Sequence, residues 1–387
     1  MRIALVTLAA PRNDRDKHGR FNLRQAEALE DLPGVVARVF VLRPRLRWLR
    51  KLKAAGSRKP EKAIPLIVSV PVFFYYVHAL VRPVQDRFPS LVALWCWLAC
   101  ARRLRIELRE FGANCLIVQG AIPLGYLGLY LARSLQLPFV LMERDGRLLT
   151  EPGMRSSVRM RRMVGLSAAA TCAVGRPGAD VLRAAGIPRV RFLPNGVDVE
   201  RVSAASVPRP AEFVGRPVIL WAGNESEQKG LRVLLEALEG VPQAALIAVG
   251  VDSCSGAEFD VASVKCVGTV SQQELFGYMS WCDVFVLPSW NEAWGNVYLE
   301  AMAAGRPVVM TDECGVALEI RNWVDGVVVP ARDAWALRSS LAKLLGDPEL
   351  RSQIGRAGFL TACRYTWEAN ADSLVDIFKK TGRWDGI

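Results

Sequence analysis

Short apolar runs alternate with helical segments along nearly the whole chain of 387 residues. Runs such as VILWAG at residues 218–223 and DVFVL at residues 283–287 contain almost no polar position, so they lack the pattern of a strand with one face in water. Strands of this kind are buried on both faces, as in parallel sheets whose connections are helices. The sequence therefore predicts an α/β fold with doubly wound parallel sheets.

The length predicts more than one such sheet, because single hydrophobic cores stop growing beyond roughly 250–300 residues. Hydrophobic residues make up 51% of the chain and charged residues 23%, which is typical of a globular protein. Residues 204–216 contain prolines and few apolar anchors, as a linker between domains does. We therefore expect a first domain at residues 1–203 and a second domain at residues 217–365.

The charge and the residue counts limit the possible partners. The net charge of +12 implies an acidic partner, which is nucleic acid, an anionic membrane or a phosphorylated substrate. Nine cysteines without a C-x-x-C pair favour reduced thiols in a cytoplasmic protein over a disulfide framework. With only His18 and His78, a histidine-based metal site is not expected. Asp14-Arg15-Asp16 has the form of a metal-binding D-x-D pair, but a solvated charged loop explains it better.

Residues 288–309 carry two carboxylates, Glu292 and Glu300, in a pattern that predicts a strand end, a loop and a helix. The helix is expected to begin near Asn296 and to end at Gly305. Its amino terminus would present unpaired N–H groups to a phosphate, and the two carboxylates would accept hydrogen bonds from hydroxyl groups. Phosphate and hydroxyl groups together describe a nucleotide sugar. A surface loop glutamate and a solvated helix glutamate would show the same spacing.

The stretch PSWNEAWGNVYLEAMAAGRPVV resembles the E-x7-E signature of the retaining GT-B glycosyltransferases, specifically the large family 4. Trp294-Gly295 stands where these enzymes usually have a phenylalanine-glycine pair. The resemblance implies a GT-B fold, in which two Rossmann-like doubly wound domains face a central cleft. It also implies a nucleotide-diphosphate sugar as the donor substrate, retention of the anomeric configuration, no cofactor and no metal ion.

Two further loops resemble the substrate-binding loops of this family. Residues 223–230, GNESEQKG, are similar to G-R-x4-K-G, with Lys229 for the diphosphate and Asn224 where the family has an arginine. Gly19 precedes a helix and resembles the glycine loop that meets substrate in the first domain. By the same resemblance, Glu292 bonds sugar hydroxyls and Glu300 the ribose. The predicted donor-binding residues are Gly19, Gly223, Asn224, Lys229, Ala293, Trp294, Gly295, Asn296, Val297 and Glu300.

The strand LPFVLMERDG ends with charged residues that we also assign to the site. In the family this strand usually ends with a histidine close to the donor sugar, and Arg144 occupies or adjoins that place. The predicted catalytic residues are therefore Glu292, Arg144 and Asp145. Residues 366–387 resemble the family's last helix, which crosses back to the first domain.

Residues 43–62 are dense in arginine and lysine, with leucines and a tryptophan interleaved, and the uncharged run 63–81 follows. A basic amphipathic segment of this kind suits an anionic membrane surface, while a solvated helix or loop would have the same composition. Pro65 and Pro71 argue against a spanning helix. We expect a cytoplasmic protein that is peripheral on the inner face of the cell membrane.

Together these features predict a hexosyltransferase that acts on a glycan or lipid-linked acceptor in cell-surface polysaccharide or lipopolysaccharide synthesis. Two alternatives stay open. One is another GT-B activity, such as a sugar-nucleotide epimerase or a phosphorylase. The other is a basic protein that binds membrane or nucleic acid without catalysis. The sequence contains no recognisable nucleic-acid-binding motif, so nucleic acid is not expected as a partner.

Overall fold

The computed structural model describes residues 1–8, 19–44, 66–70, 89–122, 124–144, 155–205, 207–239, 241, 244–253 and 264–381. The chain forms two compact units. The first unit comprises Met1–Arg12, His18–Pro194 and Trp367–Ile387, and the second consists mainly of Asn195–Thr366. Each unit is built on one parallel sheet, as the alternation of apolar runs predicts.

The described strands and helices alternate along the chain. The strands are β1 (Arg2–Thr7), β2 (Val36–Pro44), β3 (Leu66–Val70), β4 (Cys115–Gln119), β5 (Phe139–Glu143), β6 (Ala170–Ala173), β7 (Val190–Phe192), β8 (Val218–Ala222), β9 (Ala245–Val249), β10 (Val264–Cys266), β11 (Val284–Val286), β12 (Val308–Thr311) and β13 (Val327–Val329). The helices are α1 (Arg20–Glu30), α2 (Pro89–Phe111), α3 (Gly125–Leu135), α4 (Arg155–Ser167), α5 (Arg176–Ala184), α6 (Val199–Ser203), α7 (Leu231–Leu238), α8 (Gln272–Trp281), α9 (Asn296–Ala303), α10 (Ala334–Gly346), α11 (Pro348–Ala362) and α12 (Trp367–Lys379).

The first unit contains a seven-stranded sheet in the order β3-β2-β1-β4-β5-β6-β7. Neighbouring strands pair in parallel, with Ile3 opposite Ala37 on one side and Cys115 on the other. The winding direction reverses between β1 and β4. In doubly wound sheets, ligands bind in the crevice outside the carboxyl ends of the strands at this reversal. The fold therefore places the candidate ligand crevice of the first unit beside the ends of β1 and β4.

Helices cover both faces of the first sheet and bury its apolar side chains. On one face α1 and α12 pack with the sheet through Leu29 and Leu374, both fully buried. On the other face α2, α3 and α4 contribute Leu104, Leu127 and Val164 to a second core. Burial of this apolar surface is the main favourable term for the fold, at roughly 25 cal/mol per Å².

The second unit contains a six-stranded parallel sheet in the order β10-β9-β8-β11-β12-β13. Its winding reverses between β8 and β11, and these two strands lead into the two loops of the predicted donor site. A capping box begins α8, since Ser271 Oγ accepts from the Glu274 N–H (3.2 Å) and Glu274 Oε2 accepts from the Ser271 N–H (2.7 Å). Within the segment 204–216, Phe213 is buried and stacks on Trp281 at 5.4 Å.

Cysteine chemistry agrees only partly with the sequence-based expectation. Six cysteines of the described ranges are free thiols: Cys100, Cys115, Cys172, Cys282, Cys314 and Cys363. Burial raises the pKa of Cys172 and Cys282 to about 12, so these thiols are protonated packing groups. Cys266 takes part in a disulfide bond, so the expectation of reduced thiols is wrong at this position. This bond could not be predicted from the sequence, because disulfide pairing depends on which cysteines the fold brings together.

Several predicted features lie outside the described residues. They are Asp14-Arg15-Asp16, Asp145 and the basic segment beyond Pro44. Within the uncharged run 63–81, residues Leu66–Val70 form the strand β3. In the part of the chain that the structure describes, none of the helices combines the length and apolarity needed to cross a membrane. The same part holds no group of three or more His, Cys, Asp or Glu side chains placed to bind a metal ion.

Candidate active site

Glu292 lies in the loop between β11 and α9, at the carboxyl edge of the second sheet. Its carboxylate oxygen Oε2 is 2.5 Å from Lys229 Nζ and accepts a hydrogen bond from Ser289 Oγ at 3.2 Å. The side chains of Lys229 and Glu292 keep about a quarter of their surface exposed, at 26% and 25%. The ion pair is therefore reachable from solvent. The sequence assigned these two residues to separate parts of a donor and did not predict their direct contact.

The backbone around Glu292 is fixed by the loop that follows β12. The Glu292 N–H donates to Glu313 O (3.3 Å), and Glu292 O accepts from the Gly315 N–H (2.8 Å). The contact requires glycine at position 315, since a Cβ there would lie 2.0 Å from Ala293 O. The two loops thus hold Glu292 in one position without help from its side chain.

The Lys229 loop is joined to the Glu292 loop through backbone groups. Gln228 O accepts hydrogen bonds from Ser289 Oγ (2.8 Å) and from the Trp290 N–H (3.0 Å). Gly230 has a left-handed backbone with φ of 66°, and a Cβ there would lie 2.1 Å from Pro288 O. This close approach of the two chains brings Lys229 to Glu292.

The amino terminus of α9 opens toward the same edge of the sheet. Gly295 caps the helix with φ of 94°, which a residue with a side chain rarely adopts. A Cβ at Gly295 would also lie 2.5 Å from the ring of Tyr298. The first N–H groups of α9, from Asn296 and Val297 onward, have no partner within the helix, and the helix dipole is positive at this end. This terminus therefore suits a phosphate group.

The Trp294 side chain points into the protein rather than toward a ligand. Only 2% of the residue is exposed, its indole N–H donates to Asn195 O at 3.2 Å, and its ring packs edge-on against Tyr365 at 5.4 Å. Asn195 also donates from Nδ2 to Asn296 Oδ1 at 3.0 Å. Trp294 is thus a packing anchor for the loop, and any ligand contact it makes comes from its backbone.

Glu300 lies on the second turn of α9 and is partly exposed. Its Oε1 accepts a hydrogen bond from Gln272 Nε2 at 2.9 Å. Sequence reasoning missed Gln272 as a site residue. The available signal was the Ser271 capping box, which fixes Gln272 as the first residue of α8.

The remaining predicted donor residues lie on the loop after β8. Gly223 is partly exposed and follows directly on the strand. Asn224 is exposed, and its Oδ1 accepts from the Ser226 N–H at 3.3 Å. The amide carries no charge, so Lys229 is the cation that this loop supplies.

In the first unit, Gly19 and Arg144 lie near the winding reversal. Gly19 caps α1 with a left-handed backbone, φ 73°, as the expected glycine loop requires. Arg144 follows β5 and donates from Nε to Gln119 Oε1 (2.8 Å) and from Nη2 to Gln25 Oε1 (3.1 Å). Glu143, the last residue of β5, is buried beside Arg161 at 3.4 Å. It points to the opposite face, because successive residues of a strand alternate sides.

The comparisons with known proteins agree with this architecture. The chain matches the family Glycosyltransferase Family 4 over residues 18–201 and Glycosyl transferases group 1 over residues 216–347. It is 30% identical over 216 residues to a D-inositol 3-phosphate glycosyltransferase of Corynebacterium jeikeium, an alignment that covers 49% of this chain and 52% of the relative. It is 32% identical over 196 residues to a phosphatidyl-myo-inositol mannosyltransferase of Mycobacterium leprae, covering 48% and 52%.

The chain thus spans about half the length of the curated relatives it matches. Among solved structures, Anabaena Alr3699/HepE in complex with UDP is similar, with a TM-score of 0.70 over 98% of this chain and 99% of that chain. The sequence identity is 15%, so this likeness concerns the fold alone. The chain belongs to glycosyltransferase family 4 and has the GT-B fold, which confirms the predicted family and fold class.

Proposed function

We propose that this protein is a retaining hexosyltransferase that uses a nucleotide-diphosphate sugar as donor and a glycan or lipid-linked molecule as acceptor. The contact of Lys229 with Glu292, beside the α9 amino terminus, is the observation that carries the proposal. It sets a cation suited to a diphosphate next to a carboxylate suited to sugar hydroxyls. Those are the two chemically distinct parts of the donor that meet at the bond to be broken.

In this proposal each site residue interacts with a different part of the donor. Lys229 and the first N–H groups of α9 stabilise the negative charge that grows on the leaving diphosphate. Glu292 accepts hydrogen bonds from sugar hydroxyls and holds the sugar in place. Glu300, steadied by Gln272, accepts hydrogen bonds from the ribose. No side chain of the chain has to act as a nucleophile, since the leaving phosphate itself helps to deprotonate the acceptor.

The proposal includes catalysis without a metal ion. A diphosphate leaving group needs positive charge, and the second unit offers it through the Lys229 ammonium and the α9 terminus. Asn224 carries no charge. Lys229 therefore supplies a larger share of the positive charge than it would if a second cation stood at position 224.

The nature of the acceptor is inferred from the relatives. The two relatives are named for transfer to D-inositol 3-phosphate and to phosphatidyl-myo-inositol. By this likeness we infer a glycan or lipid-linked acceptor. We place the reaction in cell-surface polysaccharide or lipopolysaccharide synthesis, on the inner face of the cell membrane.

A basic face of the first unit supports attachment to that membrane. On α2 and α4, which cover the same face of the sheet, five arginines are exposed: Arg102, Arg103, Arg109, Arg159 and Arg162. The same two helices also expose three apolar side chains, with exposures of 49% for Ile106, 38% for Met163 and 54% for Leu166. Cations interleaved with exposed apolar groups suit an anionic lipid surface, where each basic residue contributes about 1 kcal/mol. We call this surface the α2–α4 basic face.

Ligand-dependent stabilisation tests the donor part of the proposal. A panel of nucleosides, nucleoside diphosphates and nucleotide-diphosphate sugars is added to the protein, and thermal unfolding is followed. A ligand at 100 times its dissociation constant adds about 2.7 kcal/mol to the free energy of unfolding. We expect one nucleoside diphosphate and its sugar conjugates to raise the melting temperature of the wild type and not of Lys229→Ala. If no compound of the panel shifts the wild type, the donor assignment is wrong.

A further inference from the structure

Arg144 lies at the point in the first unit where a ligand is expected. It directly follows β5, and its partner Gln119 is the last residue of β4, one of the two strands at which the winding reverses. Its other contacts come from α1, which follows the second of those strands, β1. The guanidinium thus lies beside the carboxyl ends of the strands at the winding reversal, which is where doubly wound sheets bind their ligands.

Among the residues that the structure describes, no carboxylate balances the positive charge of Arg144. Its two hydrogen-bond acceptors, Gln119 Oε1 and Gln25 Oε1, are neutral amide oxygens. Its guanidinium carbon lies 4.5 Å from the ring centre of Phe21, an attractive but uncharged contact. Across the described ranges, Arg144 takes part in no ion pair. Glu143, which precedes it, is turned to the other face and accepts from the Ala121 N–H at 3.0 Å, while Asp145, which follows it, lies outside the described residues.

One end of the guanidinium lacks any partner. Nη1 is buried and makes no hydrogen bond, while the residue as a whole stays partly exposed. Burial lowers the pKa of Arg144 to about 9, so the group is still charged at neutral pH. A buried cation without a counterion is unfavourable, and such groups are found where a ligand supplies the missing charge.

A hydrogen-bonded chain holds the guanidinium in this position. Gln25 accepts from Gln119 Nε2 at 2.9 Å and donates to Asn370 Oδ1 at 2.7 Å, and Asn370 donates in turn to Pro194 O at 2.6 Å. Gln25 is fully buried and Asn370 nearly so. A salt bridge would tie these elements together equally well and would cancel the charge. The arrangement instead fixes an arginine and leaves its charge available.

We propose that Arg144 is the anion subsite of the first unit and binds a phosphate group carried by the acceptor. The planar fork of donors on arginine matches the oxygens of a phosphate. This inference rests on the proposed transferase function, which names the first unit as the acceptor side. It deepens that function by restricting the acceptor to phosphate-bearing molecules. This proposal replaces the catalytic role that the family resemblance implied for Arg144, because the residue then binds the acceptor and does not act on the chemistry of the donor.

The test measures phosphate binding apart from the donor site. Calorimetric titrations with inorganic phosphate, and with glucose 6-phosphate against glucose, are made in a Lys229→Ala background, so that phosphate bound by Lys229 does not contribute. We expect the phosphate compounds to bind and glucose not to bind. Arg144→Gln should weaken phosphate binding by about tenfold or more, the loss of one charge-assisted interaction. Arg144→Lys keeps the charge but loses the planar pair of donors. Its phosphate affinity should lie between that of the protein with Arg144 intact and that of Arg144→Gln.

Arg183→Gln is the matched control, because it removes the same charge from an exposed arginine of the same unit that pairs only with Asp180. Phosphate affinity unchanged in both Arg144 variants, or reduced equally by Arg183→Gln, would overturn the subsite. If Arg144→Gln does not fold, Arg144→Lys alone decides by the same criterion. Nucleoside diphosphate binding with Lys229 intact should be unaffected by Arg144→Gln. A wild type that binds no donor would refute the proposed function and leave the phosphate result standing.

Discussion

Lys229 and Glu292 form the centre of the candidate site, and each depends on the other. They are 63 positions apart in the chain and 2.5 Å apart in space. The structure also contains a comparable pair that lies outside the site, Lys265 with Glu212 at 2.6 Å, with side chains that are more than half exposed. Exposed pairs of this kind contribute little to stability. The Lys265–Glu212 pair is therefore a matched control for the two predictions that follow.

Glu292→Gln should lower turnover by about a hundredfold or more while leaving the fold intact. The loss is that of a charged group acting chiefly in the transition state, and the backbone bonds of Glu292 to Glu313 and Gly315 do not need the carboxylate. Turnover is measured at saturating donor, and circular dichroism checks the fold. Glu212→Gln should behave like the wild type. Full activity in Glu292→Gln would remove this residue from the site.

Lys229→Ala should weaken the binding of nucleoside diphosphates by about tenfold to a hundredfold. The binding of nucleosides should hardly change. The lysine supplies a charge-assisted bond to phosphate, and its removal also leaves the Glu292 carboxylate unpaired beside the incoming anion. Calorimetry with both ligand types measures the difference, with Lys265→Ala as the control. Equal losses for nucleoside and diphosphate would mean that Lys229 has a structural role only.

The sequence predicted the loop or helix on which each of these residues lies, but not the residues that their side chains contact. The E-x7-E spacing placed Glu292 in a loop and Glu300 on a helix, and both positions agree with the structure. The pairing of Glu292 with Lys229 depends on the approach of two distant loops, for which local patterns carry no information. Glu143 shows the same limit, since its burial against Arg161 follows from which face of β5 the helix α4 covers.

At the level of elements, the loops of the second unit are held together by glycines. Gly315→Ala should destabilise the second unit by about 1–3 kcal/mol, because the new Cβ would fall 2.0 Å from the carbonyl oxygen of Ala293 and the backbone must shift. Activity should fall with it, since the Gly315 N–H bonds Glu292 O. Chemical denaturation followed by tryptophan fluorescence measures the change in stability.

Gly346→Ala is the control for this prediction. A Cβ at Gly346, the last residue of α10, would meet no atom within 4 Å, and its backbone needs no left-handed conformation. This variant should be neutral or slightly more stable, because alanine restricts the unfolded chain. A Gly315→Ala protein as stable and active as Gly346→Ala would show that the loop contact does not position Glu292.

Most strands and helices could be predicted from the pattern, because each is a local consequence of apolar runs and caps. The start of α9 at Asn296 and the capping box at Ser271 are examples. The glycine contacts could not be predicted as contacts, since a glycine in a sequence does not reveal which backbone will approach it. The need for glycine at position 315 is explained only by the short distance that a Cβ there would have to Ala293 O.

For the molecule as a whole, the α2–α4 basic face should bind anionic membranes. Replacing its five arginines, Arg102, Arg103, Arg109, Arg159 and Arg162, by Gln should weaken binding to vesicles of phosphatidylglycerol, measured by sedimentation, by about a thousandfold, since each contributes about 1 kcal/mol near such a surface. Binding of the wild type should fall as salt rises. Neutral vesicles should bind neither protein.

The control variant removes the same number of charges elsewhere, at Arg183, Arg232, Lys265, Arg356 and Lys380, all exposed. It should sediment like the wild type if the face, rather than the net charge of +12, governs attachment. Equal loss in both variants would assign the effect to net charge alone. If the wild type stays in the supernatant with phosphatidylglycerol vesicles at low salt, the proposed membrane attachment is wrong.

The central claim is that Lys229 and Glu292 act on a nucleotide-diphosphate sugar, and the fate of that sugar tests it most directly. The protein is incubated, with EDTA present, with the donor that stabilises it most and a glycan and lipid extract of its source cells. Proton NMR follows the anomeric signal. The account predicts release of the nucleoside diphosphate, transfer with the anomeric configuration retained, and a rate about a hundredfold lower in Glu292→Gln. Inversion of the configuration, activity that returns only with added manganese, or an unchanged rate in Glu292→Gln would contradict it.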